Sequence, residues 1–167
     1  MKERIGVLII VIIMAIILTF MIIFRKKVEI KNIKYMHFSY SVGYAMYSNV
    51  NYDLEYKNSK YIAKIKPDGI ADEEAKEVEL DEKTVTKIEE VLKKYNVTSW
   101  DGFNKSDKYV LDGDSFSFSL SLKDGSYISA SGYMKWPNNY REVRSELDEI
   151  FMNLYDKIIK KLYFFSK

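Results

Sequence analysis

Apolar residues run without interruption near the N-terminus and alternate with polar residues further along the chain. From Ile5 to Phe24 there are twenty consecutive uncharged residues, among which Thr19 is the only conventional polar side chain. At about 1.5 Å per residue, a helix of this length reaches roughly 30 Å, the thickness of the hydrocarbon core of a bilayer. The run therefore predicts a single membrane-spanning helix over residues 5–24.

The flanks of this run favour a retained anchor over a cleaved signal peptide. A signal peptide has a shorter apolar core and ends in small residues, whereas this run continues into Arg25-Lys26-Lys27. We predict a membrane anchor over residues 1–27 and a single soluble domain over residues 28–167. More basic residues follow the span than precede it, which favours a cytoplasmic domain, whereas a short basic N-terminus is typical of a signal anchor whose domain is translocated.

Alternation of apolar and polar residues with period two predicts strands in the domain. Three strands are predicted within residues 29–66, where Met36, Phe38 and Tyr40 alternate with polar neighbours. The strictest alternation is in residues 115–122, where every second residue is a serine. An Asp-Gly turn then leads into a partner strand over residues 127–133, which predicts a hairpin.

Helical spacing of apolar residues follows in two places. Asp81 is a good N-cap for a helix over residues 82–95, and apolar residues mark one stripe of a second helix over residues 140–162. The acidic stretch over residues 72–79 is interpreted as a solvated loop. The order βββαββα predicts an α+β domain in which two helices pack on an antiparallel sheet.

Tyrosine is the unusual feature of the composition. There are fourteen, all after the predicted anchor. Tyrosine and tryptophan combine a broad apolar face with a polar group, which suits partner surfaces and stacking on sugars, although tyrosines also simply cover twisted sheets. The candidate aromatic binding face consists of Tyr35, Tyr40, Tyr44, Tyr47, Trp100 and Trp136.

The charge of the domain disfavours nucleic acid as a partner. The predicted anchor contains five basic residues and one acidic residue, so the remaining 140 residues contain 21 basic and 23 acidic ones. A nucleic-acid-binding domain requires a basic excess that is missing here.

The inventory of reactive side chains is short. The chain has no cysteine, and His37 is its only histidine. A cysteine–histidine nucleophile and a zinc site of His and Cys ligands are therefore excluded. A Ser-His-Asp triad would have to use His37, but no serine lies in a nucleophile-elbow pattern. We interpret His37 as an ordinary strand residue and predict no catalytic residue, no cofactor, no metal site and no enzymatic activity.

Four aspartates lie next to glycines, where carboxylates can bind Ca²⁺ or act as an acid–base pair. Their spacing is not that of a calcium loop, and Asp-Gly is also a common turn signal, so we interpret them as turn residues. They are Asp101, Asp112, Asp114 and Asp124.

Several short motifs support a resemblance. Trp100-Asp101-Gly102-Phe103, Leu111-Asp112-Gly113-Asp114-Ser115-Phe116, Ala130-Ser131-Gly132 and Trp136-Pro137-Asn138-Asn139-Tyr140 lie in a stretch, about residues 35–160, that resembles small uncharacterised exported or membrane-attached proteins of clostridial-type Gram-positive bacteria. The resemblance implies an extracytoplasmic domain and brings no catalytic residues.

Together these features predict a single-pass membrane protein with a binding domain at the cell envelope. Its partners would be the membrane, through residues 5–24, and another protein, a peptide or a wall polymer. One alternative is an envelope hydrolase that uses Asp101, Asp112 and Asp114. The other is an accessory subunit that acts in a membrane complex through its span.

Overall fold

The structure, a computed structural model, describes residues 12–16, 28–43 and 49–165. Among these residues no helix is long and apolar enough to cross a membrane. This finding contradicts the predicted membrane-spanning helix and the predicted location at the cell membrane. Residues 12–16 of the predicted span are helical. The other residues of the predicted span lie outside the described ones.

One sheet of seven strands organises the domain. Its strands are β1 (Ile33–Ser41), β2 (Asn49–Lys57), β3 (Lys60–Lys66), β4 (Lys76–Leu80), β5 (Phe103–Ser106), β6 (Ser115–Leu122) and β7 (Tyr127–Tyr133). Their order in the sheet is β4-β3-β2-β1-β6-β7-β5. All neighbours pair antiparallel except β5 and β7, which are parallel. The class α+β is correct, but the predicted purely antiparallel sheet of five strands is wrong.

The two unpredicted strands form the two edges of the sheet. In β4, Val78 and Leu80 alternate with charged residues, and Glu79 forms an ion pair with Lys60 at 2.7 Å. Charged side chains suit an edge strand because they oppose further strand pairing. The interpretation of residues 72–79 as a loop is therefore wrong for residues 76–79, which belong to β4. In β5 only Phe103 is apolar, and the strand exists because it pairs with residues about 27 positions later in the chain.

Two α-helices follow the predicted pattern. Helix α1 (Glu82–Lys94) begins where the Asp81 side chain accepts a hydrogen bond from the Thr84 amide at 2.7 Å. It ends near Asn96, whose φ of 52° is left-handed. Helix α2 (Tyr140–Phe165) runs three residues beyond the predicted end. Short 3-10 helices lie at Asp72–Glu74 and Val97–Trp100.

Both helices lie on one face of the sheet, which we call the covered face. Tyr52 of β2 stacks on Phe151 of α2, with ring centroids 4.5 Å apart. Glu89 of α1 accepts a hydrogen bond from the backbone amide of Ile33 at 3.2 Å. The buried apolar residues of the sheet and helices form one core, in which Trp100 is completely buried. The opposite face of the sheet has neither of these helices packed on it.

Candidate functional site: the open face of the sheet

The second face of the sheet, which we call the open face, consists of polar and tyrosine side chains that are half-buried or exposed. Its four central strands each contribute four alternating residues. They are Tyr35, His37, Ser39 and Ser41 of β1, Asn49, Asn51, Asp53 and Glu55 of β2, Ser115, Ser117, Ser119 and Ser121 of β6, and Tyr127, Ser129, Ser131 and Tyr133 of β7.

Strand register aligns these side chains in rows across the sheet. His37 lies opposite Asp53 of β2 and opposite Ser119 of β6, and Ser119 lies opposite Ser129 of β7. Directly opposed side chains of antiparallel strands are about 4.5–5.5 Å apart at Cβ, so members of a row can contact each other. The single histidine thus lies at the centre of the open face, between a carboxylate and a hydroxyl.

His37 and Asp53 are joined by the shortest polar contact of the row. His37 Nδ1 lies 2.7 Å from Asp53 Oδ1, and His37 Nε2 lies 3.1 Å from Ser39 Oγ. An ionised carboxylate can only accept, so Nδ1 carries the proton that is donated to Asp53. In the neutral ring Nε2 is then unprotonated, and it accepts from the hydroxyl of Ser39.

Tyr35 completes this network from the other side. Its hydroxyl donates to Asp53 Oδ1 at 3.1 Å. Burial of the ring and the negative charge of Asp53 raise the pKa of Tyr35 to about 12. Burial alone would raise the pKa of Asp53, but the hydrogen bond and charge of His37 outweigh burial, so that pKa lies below its ordinary value. Asp53 is therefore a charged acceptor at neutral pH.

The half of the open face formed by β5, β6 and β7 contains a shallow depression of about 550 Å³, which we call the serine trough. No lining residue is charged. Ser131 Oγ donates to Asn104 Oδ1 at 3.3 Å. The trough is lined by Gly102, Phe103, Asn104, Ser117, Phe118, Ser119, Tyr127, Ser129, Ala130 and Ser131.

The half formed by β2, β3 and β4 has a different chemical character. Lys64 lies opposite Asp53, and Glu77 lies opposite Lys64. The row that runs through His37 therefore has neutral serines on one side of the histidine. On the other side it has side chains of alternating charge. The open face is divided into a neutral half and a charged half, and His37 lies at the boundary.

The predicted aromatic binding face is not one surface. Tyr40 and Trp100 belong to the covered face: the Tyr40 hydroxyl donates to Asp148 Oδ1, and the Trp100 indole donates to the Asn138 carbonyl, both at 2.9 Å. These two residues are core residues because even-numbered positions of β1 face the helices and Trp100 ends a 3-10 helix beneath them.

Of the remaining four candidates, the structure describes two. Tyr35 is on the open face, where it is 37% exposed. Trp136 is half-buried and stacks on Tyr140, with ring centroids 4.6 Å apart. Tyr44 and Tyr47 lie outside the described residues.

Of the four aspartates beside glycines, Asp101 and Asp124 lie at turns, Asp112 lies in a bend and Asp114 directly precedes β6. Asp101 accepts from the Ser129 amide, and the carbonyl of Asp114 accepts from the Met134 amide. Asp114 Oδ1 accepts from the Gly43 amide at 2.9 Å, so the carboxylates of Asp101 and Asp114 bond to different segments of the chain. Among the described residues, no group of three or more His, Asp or Glu side chains could hold a metal ion.

Sequence reasoning missed the connection between His37, Asp53 and Ser39. Alternation correctly placed His37 and Ser39 on the polar side of their strand, and Asp53 on the polar side of the next one. Their contact depends on the register of β1 against β2, which no local pattern encodes. No protein-family model matches the chain, and no curated protein sequence matches it significantly.

Proposed function

We propose that the protein is a binding domain whose serine trough holds a neutral, hydroxyl-rich polymer, namely a linear glycan. The observation that carries this proposal is the lining of the trough, which is rich in hydroxyls and contains no charged side chain. Each serine hydroxyl can donate one hydrogen bond and accept others, so a row of serines matches the mixed donors and acceptors of sugar hydroxyls.

The neutrality of the trough favours an uncharged ligand. An anionic ligand would lose hydration on binding without meeting a cationic side chain in the lining of the trough, which costs free energy. Ser117, Ser119 and Ser129 make no hydrogen bond to another side chain among the described residues, so their hydroxyls can exchange water for a ligand. This exchange is close to balanced in free energy, and it supplies selectivity more than affinity.

Two tyrosines at the rim supply the apolar part of the contact. Tyr127 is 58% exposed, and Tyr35 and Tyr127 both lie opposite Ser121 in one row. An exposed aromatic ring offers a flat apolar face with a polar tip, which suits the C–H face of a sugar ring. We expect Tyr127 to contribute more binding free energy than any single serine.

Affinity electrophoresis of the full chain tests this proposal. Neutral linear glycans, such as a β-glucan or a xylan embedded in the gel, should retard the protein, whereas a polyuronate should not. Tyr127→Ala should weaken retardation about fivefold to tenfold, which corresponds to about 1–1.4 kcal/mol.

Tyr109→Ala is the matched control because Tyr109 is 97% exposed but is not among the residues that line the trough. Equal losses for the two tyrosine variants, or stronger retardation by the polyuronate than by every neutral glycan, would contradict the proposal. The proposal would also be contradicted if none of the neutral glycans retarded the protein.

A further inference from the structure

We propose that Ser39 is a nucleophile for which His37 is the general base, and that Ser39 accepts an acyl group from small carboxylic esters. This inference is independent of glycan binding. It rests on a hydrogen-bonded chain of three side chains, Ser39 to His37 to Asp53, with heavy-atom distances of 3.1 and 2.7 Å.

The direction of this chain is the one that nucleophile activation requires. A serine hydroxyl is a weak nucleophile unless an adjacent base takes its proton, and the base must itself be oriented by a third group. Asp53 accepts from Nδ1–H of His37, which leaves the unprotonated Nε2 directed at Ser39. The opposite order, with Nε2 protonated, would leave Ser39 without a base.

The sheet holds the three groups in place. Residues 37 and 39 lie on the same face because successive side chains of a strand alternate. Asp53 lies directly opposite His37, and the Tyr35 hydroxyl donates to the same carboxylate oxygen, Oδ1, that His37 contacts. The geometry thus depends on the pairing of two central strands and not on a flexible loop.

Two polar residues flank Ser39 on the neighbouring strands. Ser39 lies opposite Asn51 of β2 and opposite Ser117 of β6. An amide N–H and a hydroxyl are donors of the kind that stabilise the oxyanion of an acyl-transfer intermediate. The site is also accessible, since the side chains of His37 and Asp53 are 28% and 31% exposed.

The proposed step balances within these groups and the ester. Ser39 Oγ forms a bond to the carbonyl carbon, and its proton moves to His37 Nε2. The C–O bond of the ester then breaks, and the imidazolium returns the proton to the leaving alcohol, which leaves Ser39 acylated. Water repeats the sequence in the second half: it attacks the acyl carbon, His37 takes its proton, and the carboxylic acid departs as Ser39 regains the proton.

The first experiment is active-site labelling of the full chain with a fluorophosphonate. Ser39 Oγ bonds to phosphorus, fluoride leaves, and the proton is taken up by His37. Peptide mapping should find the label on Ser39. His37→Gln should slow labelling roughly 100-fold or more, as expected for loss of a general base, and Ser39→Ala should abolish it.

Ser41→Ala is the matched control. Ser41 lies on the same strand and face, but its hydroxyl bonds Ser115 Oγ at 2.7 Å and makes no contact with His37. Its labelling rate should equal that of the unchanged protein. The proposal is overturned if the label lies on Ser119 or is spread over several serines, if His37→Gln reacts at the unchanged rate, or if the folded protein is not labelled.

The second experiment tests Asp53 as a positioning residue. Because the chain has one histidine, the ¹⁵N resonances of its imidazole are unambiguous. The unchanged protein should show the Nδ1–H tautomer, and Asp53→Asn should reduce both the Nδ1–H population and the labelling rate, the latter by at least about tenfold. An Nε2–H tautomer in the unchanged protein would overturn the assignment, whatever the labelling result.

Discussion

The two faces of the sheet use the same strands for opposite purposes. Phe118 and Ser119 are neighbours in β6, yet the Phe118 ring is 1% exposed beneath the helices, whereas Ser119 is half-buried on the open face. The covered face consists almost entirely of apolar contacts, whereas the open face consists of hydroxyls, amides and one histidine–aspartate pair. Stability is therefore concentrated on one side, and the other side is free to vary in chemistry with little effect on folding.

The covered face also contains a polar cluster, which is organised around Asp148 of α2. Its Oδ1 accepts hydrogen bonds from the hydroxyls of Tyr40 and Tyr52, both at 2.9 Å. Arg144 lies over the Tyr40 ring at 3.8 Å. Burial and the charge of Asp148 raise the pKa of Tyr40 to about 12 and raise that of Tyr52 further. Tyr40 and Tyr52 are buried, whereas the Asp148 side chain to which they donate is 28% exposed, close to the 31% of Asp53 on the open face.

The largest expected difference between the faces is in the free energy of unfolding lost when Phe118 or its neighbour Ser119 is replaced by alanine. Phe118→Ala should lower the free energy of unfolding by about 3–5 kcal/mol, because it removes a ring that packs edge-on against Trp100 and Phe38 and leaves a cavity. Ser119→Ala should change it by less than about 0.5 kcal/mol. Urea denaturation of both variants measures the difference. Comparable losses would show that the open face is also a structural core.

A smaller effect should come from the hydrogen bonds that Asp148 accepts from two buried tyrosines. Asp148→Ala leaves the hydroxyls of Tyr40 and Tyr52 without their acceptor and should cost about 1–3 kcal/mol in the free energy of unfolding. The exposed neighbour Glu149 serves as the control in Glu149→Ala. Tyr52→Phe should cost less in the Asp148→Ala background than alone, since the hydroxyl it removes is already unpaired there. Additive losses in this double-mutant cycle would contradict the proposed coupling.

The smallest effect concerns the pH dependence of the open face. The pKa of Asp53 is lower in the folded protein than its ordinary value of 3.8. The stability that this carboxylate contributes is therefore fully present above the unfolded pKa and is lost as the pH falls through the folded pKa. The stability difference between the unchanged protein and Asp53→Asn should shrink as the pH falls from about 5 to below about 4. A difference independent of pH down to 2 would contradict this origin.

Most of the local structure was predictable because it depends on neighbouring residues. The Asp81 cap, the alternation in β6 and the hairpin turn at Asp124-Gly125 each act over a few positions, and all three are present. Strand β4 was missed because its charge pattern is that of a loop as well as of an edge strand. Strand β5 was missed because only Phe103 of its four residues is apolar, so its strand conformation depends on backbone pairing with β7.

The candidate site was predictable only in its parts. The sequence placed His37 among polar strand residues, and it contained no elbow motif that would mark a reactive serine. Ser39 lies within a regular strand, so the signal of a nucleophile is its distance from Nε2 and not a local motif. Conversely, Tyr40 and Trp100 are residue types that suit a binding face, but both lie on the side of the sheet where the helices pack and are therefore core residues.

The sequence by itself therefore determined which residues share a face of each strand, where the two helices begin, and that the chain has one histidine and no cysteine. The prediction of a membrane-spanning helix is contradicted, since no helix among the described residues is long and apolar enough to cross a bilayer. Tertiary structure alone decided that β1 lies between β2 and β6, which brings Asp53 within 2.7 Å of His37. Periodicity is a local property, whereas register is set by pairing between segments that are distant in sequence.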